Sequence, residues 1–181
     1  MTTERRIVLG VTGSIAAYKA VELVRLFADR SVRVSVMMTE SATKYVGPLT
    51  FQALTGRPVA HGRFEDLSTE VFQHIDLARD ADAILIAPCT ANVMAKLAHG
   101  IADDVLTSTV LASAAPLLIA PAMNNNMWEN AATQANRRVL LDRGVHVLDV
   151  DHGELACGTV GPGRLADLDA IIGAVDHVIG A

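Results

Sequence analysis

The residues able to do chemistry in this 181-residue chain fall mostly just after short apolar runs. After Leu118–Pro121 come Ala122 and Met123, then Asn124, Asn125 and Asn126, then Met127, with almost no charge nearby. Asparagines tolerate tight turns, so one reading is a plain loop. The other aims an amide from the end of a strand at something bound there. The stretch "GVTGSIAAYK" sets Gly13 and Ser14 at a strand-to-helix turn. Free backbone N–H groups there can hold a phosphate, or the serine simply caps the helix. Thr39 and Ser41, after the next apolar run, would add hydroxyls to the same phosphate. His74 in "QHIDLARDAD" is either a structural or solvated ring or an acid–base group. Cys157 lies in a glycine-rich stretch, an unusual setting for a residue type that prefers the core, whereas Cys89 reads as packing. No Cys/His cluster has metal-ligand spacing, so no metal site is expected.

The elements that must position these residues follow from periodicity. "RRIVLGVTG", "VRVSVMM", "ADAILIAP", "LLIAP" and "GVHVLDV" read as five strands. Helical spacing predicts helices over "SIAAYKAVELVRLFADR", "ANVMAKLAHG", "DDVLTSTVLASA", "NAATQANRRVLLDRG" (with Gly144 as its C-cap) and "DLDAIIGAVDHVIG". "TESATKYVGPLTFQAL" reads as a helix interrupted near Gly47–Pro48. Apolar strands alternating with helices imply an α/β three-layer sandwich with a parallel, flavodoxin- or Rossmann-like sheet. Ligands of such folds bind beyond the carboxyl ends of the strands, where the candidate residues fall. Only Gly10 and Gly13 of a dinucleotide fingerprint are present, so FMN suits the turn better than NAD. "TGRPVAHGRFEDLSTEVFQHIDLARD" reads as an irregular connection, and "DHGELACGTVGPGRLAD" as a mobile lid.

Composition narrows the class. Apolar residues make up 51% and charged residues 19%, as in a well-buried globular fold and not a disordered chain. A net charge of -5 argues against general nucleic-acid binding. No apolar run approaches the roughly 20 residues of a membrane span. The start lacks the apolar region of a signal peptide, so a cytoplasmic protein with a single domain over 1–181 is expected.

Taken in order, "GVTGSIAAYKA", the histidine of "HIDLARDAD", "IAPCTANVMAKLAHGIADD", "APAMNNNMW" and "LACGTVGPGR" resemble the motifs of the homo-oligomeric flavin-containing cysteine decarboxylases. The match runs from about Ile7 to Leu168. The resemblance implies FMN held by Gly13, Ser14, Ile15, Thr39, Ser41, Thr90, Ala91, Asn92 and Ala122. Cys89 and Val93 depart from the family's P-A-S-A-N-T pattern, and Val93 lacks a hydroxyl that would reach the flavin. It further implies His74 as the active-site base, Asn124 as the holder of a substrate carboxylate and Met127 in the same pocket. Ala156, Cys157, Arg164 and Leu165 fall in a substrate clamp at about 151–166, with Cys157 as proton donor. One branch of the family decarboxylates phosphopantothenoylcysteine in coenzyme A synthesis, and its motifs are the nearer match. The sister branch acts on the C-terminal cysteine of ribosomal peptides. A non-catalytic flavin-binding regulator and a flavin prenyltransferase are the further alternatives, and a homotrimer or homododecamer is implied.

Overall fold

The computed structural model describes residues 5–62 and 73–180. β1 (Arg6–Val11) is buried at every position but the first, as a strand covered on both faces must be. It leads through a short turn into α1 (Ala17–Asp29), whose Ala17, Ala20, Leu23, Val24 and Phe27 fall on one buried face. β2 (Arg33–Met38) follows, then α2 (Glu40–Thr43) and α3 (Pro48–Thr55). The break between the two helices lies at Gly47–Pro48, as expected, because proline at the first helical position begins a helix and cannot continue one. Next come β3 (Ala60–His61), α4 (Gln73–Asp80), β4 (Ala83–Cys89), α5 (Ala91–His99) and α6 (Val105–Ala112). The chain continues through β5 (Leu117–Pro121), α7 (Asn125–Glu129), α8 (Ala131–Asp142) and β6 (His146–Val147). β7 (Asp151–Glu154), β8 (Val160–Arg164) and α9 (Leu168–Ile179) complete it.

Six strands pair in parallel in the order β3-β2-β1-β4-β5-β6, the doubly wound Rossmann arrangement. One apolar cluster joins α1, α3 and α9 to one face of the sheet. A second joins α5, α6 and α8 to the other, which makes three layers. Phe27 and Phe51, both fully buried, contribute about 1.5–3 kcal/mol each by leaving water. Among the described residues no helix is long and apolar enough to cross a membrane.

Three details differ from the sequence expectation. The sheet has a sixth strand, β3, inside the connection read as irregular, and α4 closes that connection; its residues 63–72 lie outside the described ones. "GVHVLDV" is paired only over His146–Val147, because β6 is an edge strand touching β5 alone. The glycine-rich stretch expected as an irregular lid is an antiparallel hairpin, β7–β8. Its turn closes with the Gly158 N–H donating to the Leu155 carbonyl at 2.8 Å, and Gly158 takes the positive φ of 82° that this turn requires.

Candidate active site

The strand order reverses between the neighbours β1 and β4, after the chain crosses back from β3, and the carboxyl ends of β1 and β4 form the topological switch point. Thr12 joins them. Its hydroxyl donates to the Pro88 carbonyl at 2.6 Å and accepts from the Thr90 N–H at 3.0 Å, and the residue is fully buried. Two cavities open on this rim, on either side of the β1–α1 turn.

The smaller cavity, about 410 Å³, is lined by Gly13, Thr39, Ser41, Thr90, Ala91, Asn92 and Met127, among others. A Cβ at Gly13 would lie 2.5 Å from the Ser41 Cβ, so only glycine lets this backbone come so close to the next loop. The hydroxyls of Thr39 and Thr90 cap α2 and α5 by accepting from the N–H groups of Ala42 and Val93. The Ser41 hydroxyl and the Asn92 amide form no hydrogen bond with other described residues, which leaves their donors to a ligand. The lining thus combines these polar groups with the apolar Ala91, Val93 and Met127. This donor set fits a mononucleotide carrying a phosphate, a polar chain and a flat ring. Val93 is 2% exposed and buried as a core residue, so the missing hydroxyl is replaced by packing against the second cluster. Lys96, Asp103 and Asp104 line the same cavity and were not singled out by the sequence. The Lys96 ammonium sits 2.6 Å from Asp103 and 3.7 Å from Asp104.

The larger cavity, about 790 Å³, is lined by Ser14, Ile15, Ala122, Asn124, Ala156, Cys157, Arg164 and Leu165, together with Tyr18, Lys19 and Glu154. Three residues expected around FMN, Ser14, Ile15 and Ala122, thus lie with the clamp residues, and Met127 lies in the smaller cavity. Asn124 answers the question posed by the asparagine run. Its Oδ1 accepts from the Asn126 N–H at 2.9 Å and so caps α7, which turns the Nδ2 donors outward. One of them donates to the Cys157 Sγ at 3.3 Å. The Cys157 Sγ also lies 3.1 Å from the Thr159 Oγ1, which donates to the Asn125 Oδ1 at 3.2 Å. Asn125 therefore does more than satisfy a turn: it holds the hairpin, and Gly161 packs against its Cβ. At the base, the Met123 N–H donates to the Gly163 carbonyl at 2.9 Å, and Leu165 and Ala166 enter the core.

The two thiols are set apart by their surroundings. The Thr159 side-chain hydrogen bond, followed by that residue's backbone and the Asn124 amide, lowers the exposed Cys157 thiol from 9.0 to about 7. Burial pushes the Cys89 thiol up to about 12, which makes it the packing residue expected. His74 lies in the first turn of α4, half-buried, and lines neither cavity. Because α4 runs into β4, its first turn faces the same rim as the two cavities. Among the described residues no cluster of His, Cys, Asp and Glu could hold a metal ion.

Comparison with known proteins agrees with this architecture. The chain is 45% identical over 163 residues to the coenzyme A biosynthesis bifunctional protein CoaBC of Vibrio cholerae, covering 90% of this chain and 41% of that protein. It is 46% identical over 172 residues to the protein of the same description in Bacillus subtilis, covering 95% and 42%. The chain thus spans about two fifths of the length of these relatives. A solved structure of a PPC decarboxylase cysteine-to-serine mutant, complexed with pantothenoylaminoethenethiol, superposes with a TM-score of 0.86. It is 30% identical, and the match covers 98% of this chain and all of that one. The FMN-dependent cysteine decarboxylase SpaF superposes with a TM-score of 0.83 at 35% identity, over 98% of both chains. The family model described as Flavoprotein matches residues 1–180. This chain belongs to the Flavoprotein family.

Proposed function

We propose that the protein is an FMN-dependent cysteine decarboxylase that converts phosphopantothenoylcysteine to phosphopantetheine. The observation that carries this reading is the meeting of Asn124 and Cys157 in the larger cavity, an amide donor beside an acidified thiol. The first suits a carboxylate and the second suits a proton donor near neutral pH. The relatives that act in coenzyme A synthesis support it.

The chemistry needs an electron sink, because carbon–carbon cleavage at a cysteine carboxylate leaves an electron pair on carbon. FMN, when bound, would accept one hydride, that is two electrons with a proton, from the CH₂–SH unit, so that a C=S bond β to the carboxylate can receive that pair. The residues of the smaller cavity fit this group: the Gly13 turn, Thr39, Ser41, Thr90, Ala91 and Asn92 would hold its phosphate, chain and ring edge. In the larger cavity the Asn124 Nδ2 holds the carboxylate, and the hairpin closes over the substrate. His74 takes the proton that leaves as the thiol is oxidised. Once CO₂ has left, turning the enethiolate into the saturated thiol needs the hydride back from the cofactor together with one proton on carbon, and the Cys157 S–H delivers that proton. Only the thiol form can do so, and it is lost as pH rises through about 7. The assembly proposed is a homotrimer or homododecamer, acting in the cytoplasm.

SpaF, at 35% identity, favours a second reading, in which the substrate is a peptide ending in cysteine and the unsaturated thiol is the product. The test is incubation of the yellow holoprotein with phosphopantothenoylcysteine, read by product mass. Loss of CO₂ alone is expected. Loss of CO₂ together with two hydrogens would transfer the protein to the peptide branch, and no reaction would overturn the assignment.

A further inference from the structure

We infer that Thr159 is a positioning residue whose single hydroxyl proton couples the protonation state of Cys157 to the attachment of the hairpin at Asn125. The Thr159 Oγ1 stands between two acceptors, 3.1 Å from the Cys157 Sγ and 3.2 Å from the Asn125 Oδ1. A threonine hydroxyl has one proton to donate and lone pairs to accept. When Cys157 is a thiol, its S–H donates to Oγ1 and the Thr159 O–H donates to Asn125, so the chain is satisfied throughout. When Cys157 is a thiolate, the sulfur has no proton to give and becomes a charged acceptor. Charge-assisted hydrogen bonds are about twice as strong as neutral ones, so the Thr159 proton turns to sulfur. The Asn125 Oδ1 then loses its donor, and of the two side-chain ties that join the hairpin tip to the start of α7 only the Asn124–Cys157 bond remains. That Thr159 is the leading cause of the acidified thiol agrees with a proton donated to sulfur in the ionised state.

The base of the hairpin is held differently. The Met123–Gly163 backbone bond and the burial of Leu165 and Ala166 involve no titrating group. Ionisation therefore removes one of the two side-chain ties of the segment around Leu155 to Val160, the one at Asn125, and leaves the Asn124–Cys157 bond and the strand ends in place. Besides Cys157, the titratable side chains around the cavity are Tyr18 and Lys19 of α1 and Glu154 and Arg164 of the hairpin. Among the described residues the sulfur hydrogen-bonds only Asn124, Thr159 and its own turn. In turnover the coupling sets an order of events. Delivery of the Cys157 proton to the product carbon leaves the electron pair on sulfur, recruits the Thr159 proton and loosens the tip, so exit follows protonation. This last consequence rests on the decarboxylase reading; the latch itself does not.

The test is hydrogen–deuterium exchange of the holoprotein without substrate, at pH values either side of about 7, corrected for intrinsic exchange. In the wild type, exchange over residues 155–160 should rise about twofold to tenfold through this range, the effect of one net hydrogen bond. Cys157→Ser keeps a proton donor at every pH and should stay flat and protected. Thr159→Val should be flat and fast, and Thr159→Ser should restore the wild-type rise. The same rise in Cys157→Ser, which would assign it to the surrounding groups, or a persisting rise in Thr159→Val overturns the inference. A protein that shows the rise yet fails to turn over phosphopantothenoylcysteine would keep the latch and lose the substrate assignment.

Discussion

Thr159→Val removes the leading cause of the acidified Cys157 thiol while keeping the shape of the side chain. Its effect on reactivity can be bounded from the structure. A thiol with a pKa of about 7 is about half ionised at pH 7, whereas at the ordinary 9.0 it is ~1% ionised. Full reversion would therefore cut the thiolate population roughly fifty-fold. A more basic thiolate is also more nucleophilic, with a Brønsted slope of about 0.4–0.5, which returns roughly six- to tenfold over this interval. The net fall in alkylation rate at pH 7 is thus at most about five- to eightfold. The Asn124 amide stays in place in this variant, so the measured fall should lie below that bound. The assay is the pH–rate profile of iodoacetamide modification, with the protein mass identifying the labelled site. Cys89 does not interfere, because it is fully buried and its thiol is pushed up to about 12. The wild-type profile should have its midpoint near 7, and that of Thr159→Val should move upward. Superimposable profiles would refute the claim that the hydroxyl acidifies the thiol.

Gly163→Ala should detach the hairpin, since its φ is +137° and a Cβ there would run into the Met123 carbonyl oxygen. A rise in substrate KM with FMN retained is expected, and an unchanged KM would count against closure by the hairpin. Gly13→Ala should weaken FMN retention at least about tenfold, the cost of one charge-assisted hydrogen bond, measured by flavin fluorescence on dilution. His74→Asn should keep the flavin spectrum and lose about 10²-fold or more in kcat, the scale of a lost acid–base group. Normal turnover in that variant would remove His74 from the mechanism.

Where sequence and structure agree, the signal was local. β4 is buried at all seven positions and β5 begins and ends where "LLIAP" does, because continuous apolar runs admit few other placements. The ends of α9 follow from Asp167, which caps it, and from Gly180, whose positive φ closes it. The positions after the strands were legible as a binding rim for the same reason. What escaped depends on contacts far apart in the chain. The two residues of β3 form a strand only because β2 offers Met37 and Met38 to pair with. The hairpin is invisible as a glycine-rich stretch, since its strands are short, largely exposed and held by Asn125 and Met123, more than 30 positions away. The partition of the site into two cavities could not be read either, because neighbours such as Gly13 and Ser14 face opposite ways.

That partition divides what can change from what cannot. Gly13 and Ser14 share one turn yet serve different cavities, and Met127 and Asn124 do the same within one helical turn. Any backbone shift in either segment alters both chambers together, so on the proposed assignment a variant that adapts to a new substrate here also disturbs the chamber assigned to FMN. The hairpin segments Glu154–Gly158 and Gly163–Leu165, by contrast, border only the larger chamber. Of those positions Glu154, Leu155, Ala156 and Arg164 are free of the constraints on Cys157, Gly158, Gly163 and Leu165, and substitutions there can reshape what enters while the other chamber keeps its walls. Substrate range in this architecture is thus free to diverge on the hairpin and is held fixed on the two shared turns.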